Sequence, residues 1–92
     1  MHWDYWADLL KAMAHPIRLK ILERLLEDDA CVKDLWGCLD LPQAVVSQHL
    51  AILRNKGIVK CQREGNTVRY YVRDPKVREI IIMLKEEKDA SV

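Results

Sequence analysis

The stretch LPQAVVSQHLAILRNKG, Leu41 to Gly57, decides how this chain reads. Pro42 suits the opening of a helix, where its missing N–H would have no partner anyway. Val46, Leu50 and Leu53 recur at the i, i+4 and i+7 positions of one helical stripe. Gly57 fits the position just past a helix end, and Lys56 before it suits the helix dipole. With the stripe turned inward, the outer face near the helix start carries Gln43, Ala44, Ser47 and Gln48. These are short or amide-bearing side chains with no acid among them. Gln pairs bidentately with adenine, Ser with several bases, and the Ala methyl meets thymine. Upstream, Val32 to Leu39 reads as a short helix with Leu35 and Leu39 inward, followed by a tight turn at Asp40 to Pro42. A short helix, a turn and a longer helix make a helix-turn-helix, whose second helix reads the major groove with its N-terminal residues.

Past Gly57 the period changes to two. Val59, Cys61 and Arg63 alternate with Lys60, Gln62 and Glu64, and after Gly65-Asn66 the residues Val68, Tyr70 and Val72 alternate with Arg69, Tyr71 and Arg73. Gly-Asn is a hairpin-turn dipeptide. The spacing predicts a two-stranded wing with one apolar and one basic side, and Arg63, Asn66 and Arg69 at or near its tip. A basic tip suits a phosphate or the minor groove. Cys61 shares the apolar side with Val59 and reads as a small core residue.

Before the short helix come two more. Trp3, Trp6, Leu10 and Met13 stand at helical spacing, and Pro16 opens a helix whose stripe is Ile17, Ile21, Leu22, Leu25 and Leu26. After the hairpin, Asp74 and Pro75 supply a cap and a first turn. The last helix holds Ile80-Ile81-Ile82-Met83-Leu84, apolar on every side. One domain hides one face of such a helix, and the remainder marks an interface. Ile80, Ile81 and Leu84 are therefore expected in a dimer seam with Trp3, Trp6 and Leu10. The expected fold is mainly α with a small β-hairpin wing, order ααααββα. Residues 1–92 read as a single domain, with helices at about 3–13 and 75–88 forming the seam.

Half of the 92 residues are hydrophobic, enough for a core, and 32% are charged. No run approaches the roughly 18 apolar residues of a membrane span. The first ten residues carry Asp4 and Asp8 and no basic segment, so no signal peptide is expected and the cytoplasm is the expected compartment. The net charge of +1 conceals a pattern. Residues 1–41 hold five cations against eight acids, residues 42–73 six cations against one acid, and residues 74–92 four against five. A basic block, including Arg54 at the end of the reading helix, faces a polyanion more readily than the rest. No catalytic motif of the nucleophile-elbow, phosphate-loop, dinucleotide or H-E-x-x-H type is present. The expected partner is a double-stranded DNA operator. The rival is a winged-helix module for protein contact, which would place apolar or acidic residues where Gln43, Ser47 and Gln48 stand.

The runs LKAMAHPIRLKIL (Leu10 to Leu22), LPQAVVSQHLAILRNKGIV (Leu41 to Val59) and GNTVRYYV (Gly65 to Val72) resemble the arsenic-repressor/metallothionein-repressor (ArsR/SmtB) family over nearly the whole chain. The resemblance implies a homodimeric winged helix-turn-helix repressor that leaves a palindromic operator when an inducer binds. It implies DNA-reading roles for Gln43, Ala44, Ser47, Gln48 and His49. From the residues themselves, His49 stands at the edge of the reading face and suits either DNA or a hydrogen bond across the motif.

The inducer is where the chain departs from the family pattern. The family's thiolate site has two cysteines, C-x-C, at the start of the third helix; here Cys31 is followed by Val32 and Lys33. An ammonium brings no lone pair and repels a cation. The alternative family site needs His on the last helix, which has none. No metal site and no cofactor are expected, and the inducer is left unnamed. Cys31 remains a candidate thiol sensor, because a helix start beside Lys33 favours thiolate; Asp28, Asp29 and Asp34 oppose it, and a structural cysteine is the alternative. The three cysteines, Cys31, Cys38 and Cys61, form no C-x-x-C and no secreted disulfide framework.

Overall fold

The computed structural model describes residues 2–27 and 32–90, with side chains at 2–27 and 35–86. Five helices and one hairpin follow the expected order: α1 (Trp3–Met13), α2 (Pro16–Glu27), α3 (Val32–Leu39), α4 (Gln43–Asn55), β1 (Val59–Glu64), β2 (Thr67–Val72) and α5 (Pro75–Ala90). Local chemistry sets most boundaries. His15 Nδ1 accepts the Ile17 N–H at 3.1 Å and so caps α2, whose first residue is Pro16. Asp74 Oδ1 accepts the Lys76 N–H at 2.8 Å and caps α5 behind Pro75. Pro42 stands just outside α4 rather than within it, and its carbonyl accepts the Val45 and Val46 N–H groups. At the other end of α4 the Gly57 N–H donates to the Arg54 carbonyl and the Ile58 N–H to the Leu53 carbonyl. That pair of bonds is the Schellman closure, with Gly57 at φ +75°.

The turn of the helix-turn-helix has the longer-range of these two bonds, with a less suitable residue at the positive-φ position. The Leu41 N–H donates to the Trp36 carbonyl at 3.3 Å, and Asp40 takes φ +54°. Asp tolerates the left-handed region better than most L-residues, and Gly tolerates it best. Asp40→Val is expected to be less stable than Asp40→Gly by about 1–2 kcal/mol, from the steric cost of a branched Cβ in that region. Equal urea midpoints for the two variants would contradict this.

Helix α2 lies at the centre and packs against α1, α3, α4, α5 and β2. Ile21, Leu22 and Leu25 from α2 meet Leu35 from α3 and the α4 stripe Val46, Leu50 and Leu53, each essentially without exposed surface. Ile58 and Val59 at the base of the wing, and Val77 and Ile81 on α5, close the same core. Lys85 of α5 pairs with Glu27 at the end of α2 at 2.9 Å and holds that carboxyl below the usual carboxylate range.

Two expectations change. Ile81 is 4% exposed and belongs to this core rather than to a surface. Its neighbour one turn back, Val77, is buried too, and that sets the phase of α5. Cys61 is exposed, although it does share a sheet face with Val59. Val59 is the last buried residue of the strand, so its apolar side is only partly covered beyond that point.

Candidate nucleic-acid interface

The buried stripe of α4 fixes which side of the helix faces out. Gln43, Ala44, Ser47 and Gln48 are all exposed on that side, and Ala51 extends the same face. The first turn of α4 holds no acidic residue, so the positive end of the helix dipole is unopposed. Arg54 is exposed at the far end and turns toward the wing, its Nη1 3.8 Å from Cys61 Sγ. Between α4 and the wing lies a cleft of about 220 Å³ lined by Ser47, Leu50, Ala51, Arg54 and Tyr70. Two hydroxyls and a guanidinium thus border one cleft beside the reading face. Tyr70 was not among the residues singled out from the sequence. Its alternation marked it as inward-facing, and only the departure of the wing from the core leaves it half-exposed at the cleft edge.

The wing is an antiparallel pair in which Val59 faces Val72, Cys61 faces Tyr70, Arg63 faces Val68 and Glu64 faces Thr67. A two-residue turn joins the strands, with Gly65 at φ +62° in the first central position, where a type II′ turn needs glycine. Arg63 and Asn66 are exposed. The register puts Arg63 on the face of Val68 and Tyr70, and Arg69 on the opposite face with Gln62. The two arginines therefore flank the wing on opposite faces, as the alternation places them. Arg69 lies 3.7 Å from the Glu64 carboxylate, which offsets part of its charge.

His49 is half-buried beside the exposed face of α4. Its ring turns toward α2, where it stacks on His15 and accepts a hydrogen bond from Arg18 Nε at 3.2 Å. Of the two sequence readings for His49, the bond across the motif is the one the structure contains.

A second surface lies on the terminal helices. Trp3, Trp6 and Leu10 of α1 and Lys76, Glu79, Ile80 and Met83 of α5 line an apolar groove of about 360 Å³. Trp3 is 70% and Met83 66% exposed. Lys76 Nζ lies 5.3 Å from the Trp6 ring centroid, a cation–π distance. Leu84 is exposed as well, but it borders a different cleft, with Leu19, Lys20 and Glu23 of α2. Met83, not singled out from the sequence, lines the groove with Ile80, whereas Ile81 is buried. Five successive apolar residues on α5 carry no phase of their own, so the sequence had no signal that singled out Met83.

Cys31 lies outside the described residues. Cys38 is exposed beside the Arg24 guanidinium, whose pKa its thiol raises. Among the described residues no three His, Cys, Asp or Glu side chains converge as metal ligands. Nor, among them, is any helix long and apolar enough to cross a membrane.

Residues 15–60, from the approach to α2 through the second residue of β1, match the model of the bacterial regulatory proteins of the arsR family. The chain belongs to the ArsR family. Among its relatives in that family, the transcriptional repressor PagR of Bacillus anthracis is 46% identical over 79 residues, covering 85% of this chain and 79% of PagR. The transcriptional activator HlyU of Vibrio cholerae is 43% identical over 76 residues, covering 83% of this chain and 70% of HlyU. The transcriptional repressor SmtB of Mycobacterium tuberculosis is 39% identical, and this chain spans 58% of that relative's length. The solved structure of Vibrio cholerae HlyU superposes with a TM-score of 0.85 at 39% identity, over 94% of this chain and 96% of that one. PagR superposes at 0.83 and 43% identity, over 88% and 93%. These ArsR-type relatives are named as transcription regulators and not as enzymes.

Proposed function

We propose that residues 1–92 act as one winged helix-turn-helix domain that binds a palindromic DNA operator as a homodimer and represses transcription by occupying it. The observation that carries this reading is the exposed face of α4, Gln43, Ala44, Ser47 and Gln48, held outward by the buried Val46, Leu50 and Leu53. Its chemistry suits base edges, it lies at the N-terminal end of the second helix of the motif, and no acid interrupts it. Arg54, Arg63, Asn66 and Arg69 flank that face from the helix end and the wing, where cations and amides add phosphate contacts with little base readout.

The dimer is supported by the groove between α1 and α5, with Trp3, Trp6, Leu10, Ile80 and Met83 apolar and partly or largely exposed. A single reading helix touches too few bases for a useful specificity ratio. Two copies related by a twofold axis would present two α4 helices to successive major grooves, about 34 Å apart. An inducer that shifts the α1–α5 seam would change that spacing and release the operator. A differential binding energy of about 1–3 kcal/mol between the two dimer arrangements is enough.

The test is a fluorescence-anisotropy titration of the reduced protein, in moderate salt, with the DNA upstream of its own gene and with a scrambled duplex. Binding to the native DNA about a thousandfold tighter than to the scramble is the expected result for a specific repressor. Equal, weak binding to both would favour a protein-contact module. A repeat after thiol oxidation addresses Cys31: release on oxidation is expected if Cys31 is the sensor.

A further inference from the structure

The reading helix is fastened to its scaffold by a polar joint. His49 of α4 lies against His15, the residue before α2, with ring centroids 4.4 Å apart and planes inclined by 40°. Arg18 Nε donates to His49 Nδ1 at 3.2 Å, and Arg18 Nη1 donates to the Ala12 carbonyl of α1 at 2.9 Å. His15 Nδ1 accepts the Ile17 N–H at 3.1 Å. One half-buried arginine thus ties the end of α1 and the start of α2 to the middle of α4.

Both histidines use Nδ1 as an acceptor. A ring nitrogen accepts only when it carries no proton, so the bond from Arg18 requires a neutral His49 ring, with its proton on Nε2. A proton on the His49 Nδ1 removes the acceptor and sets a donor against a donor. At His49 it also sets a cation against the Arg18 guanidinium, in a half-buried position. The groups that act on His49 are Arg18 and His15, from α2 and its approach. Helices α1 and α3 and strand β1 also pack against α4, and among the described residues none of them brings a carboxylate that would offset a charge at His49. Burial first, then His15 and Arg18, hold the His49 imidazole below the ordinary histidine range.

We infer that His15, Arg18 and His49 form a proton-sensitive latch on the reading helix: with the His49 ring neutral it seats α4, and a proton on His49 unseats it. The three are positioning residues that act through α4. Their effect on DNA rests on the reading face proposed above, whereas the opening of the latch is a property of the fold alone. The sign follows from linkage. The open joint returns His49 toward its ordinary value of 6.5, and the closed joint holds it lower. Protons therefore bind the open form preferentially, and the latch is fully stable above 6.5 and weakens as pH falls below it. One pH unit below that value the seated-to-unseated ratio drops by up to about tenfold.

The test compares the wild type with His49→Gln, whose amide oxygen accepts from Arg18 without titrating. Hydrogen exchange of the α4 amides, corrected for its intrinsic pH dependence, is followed between about pH 7.5 and about pH 5.5. Anisotropy titrations with the DNA upstream of the protein's own gene run in parallel. Protection in α4 is expected to fall by up to about tenfold in the wild type and to stay nearly level in His49→Gln, with DNA affinity following the same two slopes. Identical slopes in exchange overturn the latch whatever the DNA does. Different slopes in exchange with no DNA binding at any pH support the latch and sink the DNA reading. If His49→Gln does not fold, an NMR titration of the wild-type imidazoles decides: a His49 midpoint at or above 6.5 overturns the latch, and one below it with concurrent shifts in α4 amides supports it.

Discussion

Ser47→Glu is expected to abolish specific DNA binding while leaving the fold intact. Ser47 is exposed at the centre of the reading face, with Gln43 and Ala44 one turn before it and Gln48 beside it. It also borders the cleft that α4 shares with Tyr70 and Arg54. A lost base contact is worth about 1–3 kcal/mol. The carboxylate adds repulsion from the phosphates and from the acceptor-rich groove edge, and it works against the counterion release that drives binding. Together these predict a loss of at least about a hundredfold in affinity for the native DNA. The α4 stripe is untouched, so the unfolding free energy from urea denaturation should change by no more than about 0.5 kcal/mol, as for most surface changes. Anisotropy and chemical denaturation read the two effects separately. Specific binding retained by this variant would refute the assignment of the reading face.

Met83→Asp is expected to separate the protomers. Met83 is 66% exposed in the apolar groove bordered by Trp3, Trp6, Leu10 and Ile80. In a twofold seam each substitution counts twice. Burying a methionine contributes about 1.5–3 kcal/mol, and an unpaired carboxylate in the same place reverses the sign. Dimer dissociation should therefore become at least about a thousandfold easier, from some 4 kcal/mol lost over two copies. With the wild type dimeric as proposed, sedimentation should show the variant as a monomer, with an unchanged far-UV spectrum. Binding to the native DNA should weaken by at least about a hundredfold, because one α4 then reads one half-site. A variant that remains dimeric would place the seam on another surface. The neighbouring change Ile81→Asp should instead unfold the protomer, since Ile81 is part of the core.

The candidate site was legible in the sequence where local chemistry and periodicity agree. In α4 the stripe Val46, Leu50 and Leu53 is flanked by polar residues, so one choice of face buries all three and exposes Gln43, Ser47 and Gln48. The ends of the helices were legible for the same reason. Pro16, Pro75, Asp74 and Gly57 each have one backbone role they fill better than other residues do. The hairpin register followed from the two-residue turn at Gly65-Asn66, which leaves Glu64 facing Thr67.

What the sequence by itself determined, then, was the order of elements, the outward face of α4 and the location of the wing, because each depends on residues within a few turns of one another. What only the tertiary structure decided was which surfaces remain open. Cys61 and Tyr70 lie on the apolar face of the wing, yet the wing passes beyond the helices and leaves that face partly bare. Ile81 and Met83 belong to one unbroken apolar run, and the packing of Val77 and Ile81 into the core is what sends Met83 outward. His49 stands between two faces, and Arg18 and His15, more than thirty residues earlier, draw it inward. Periodicity states that a side chain has a face; exposure depends on whether a distant part of the chain arrives to cover it.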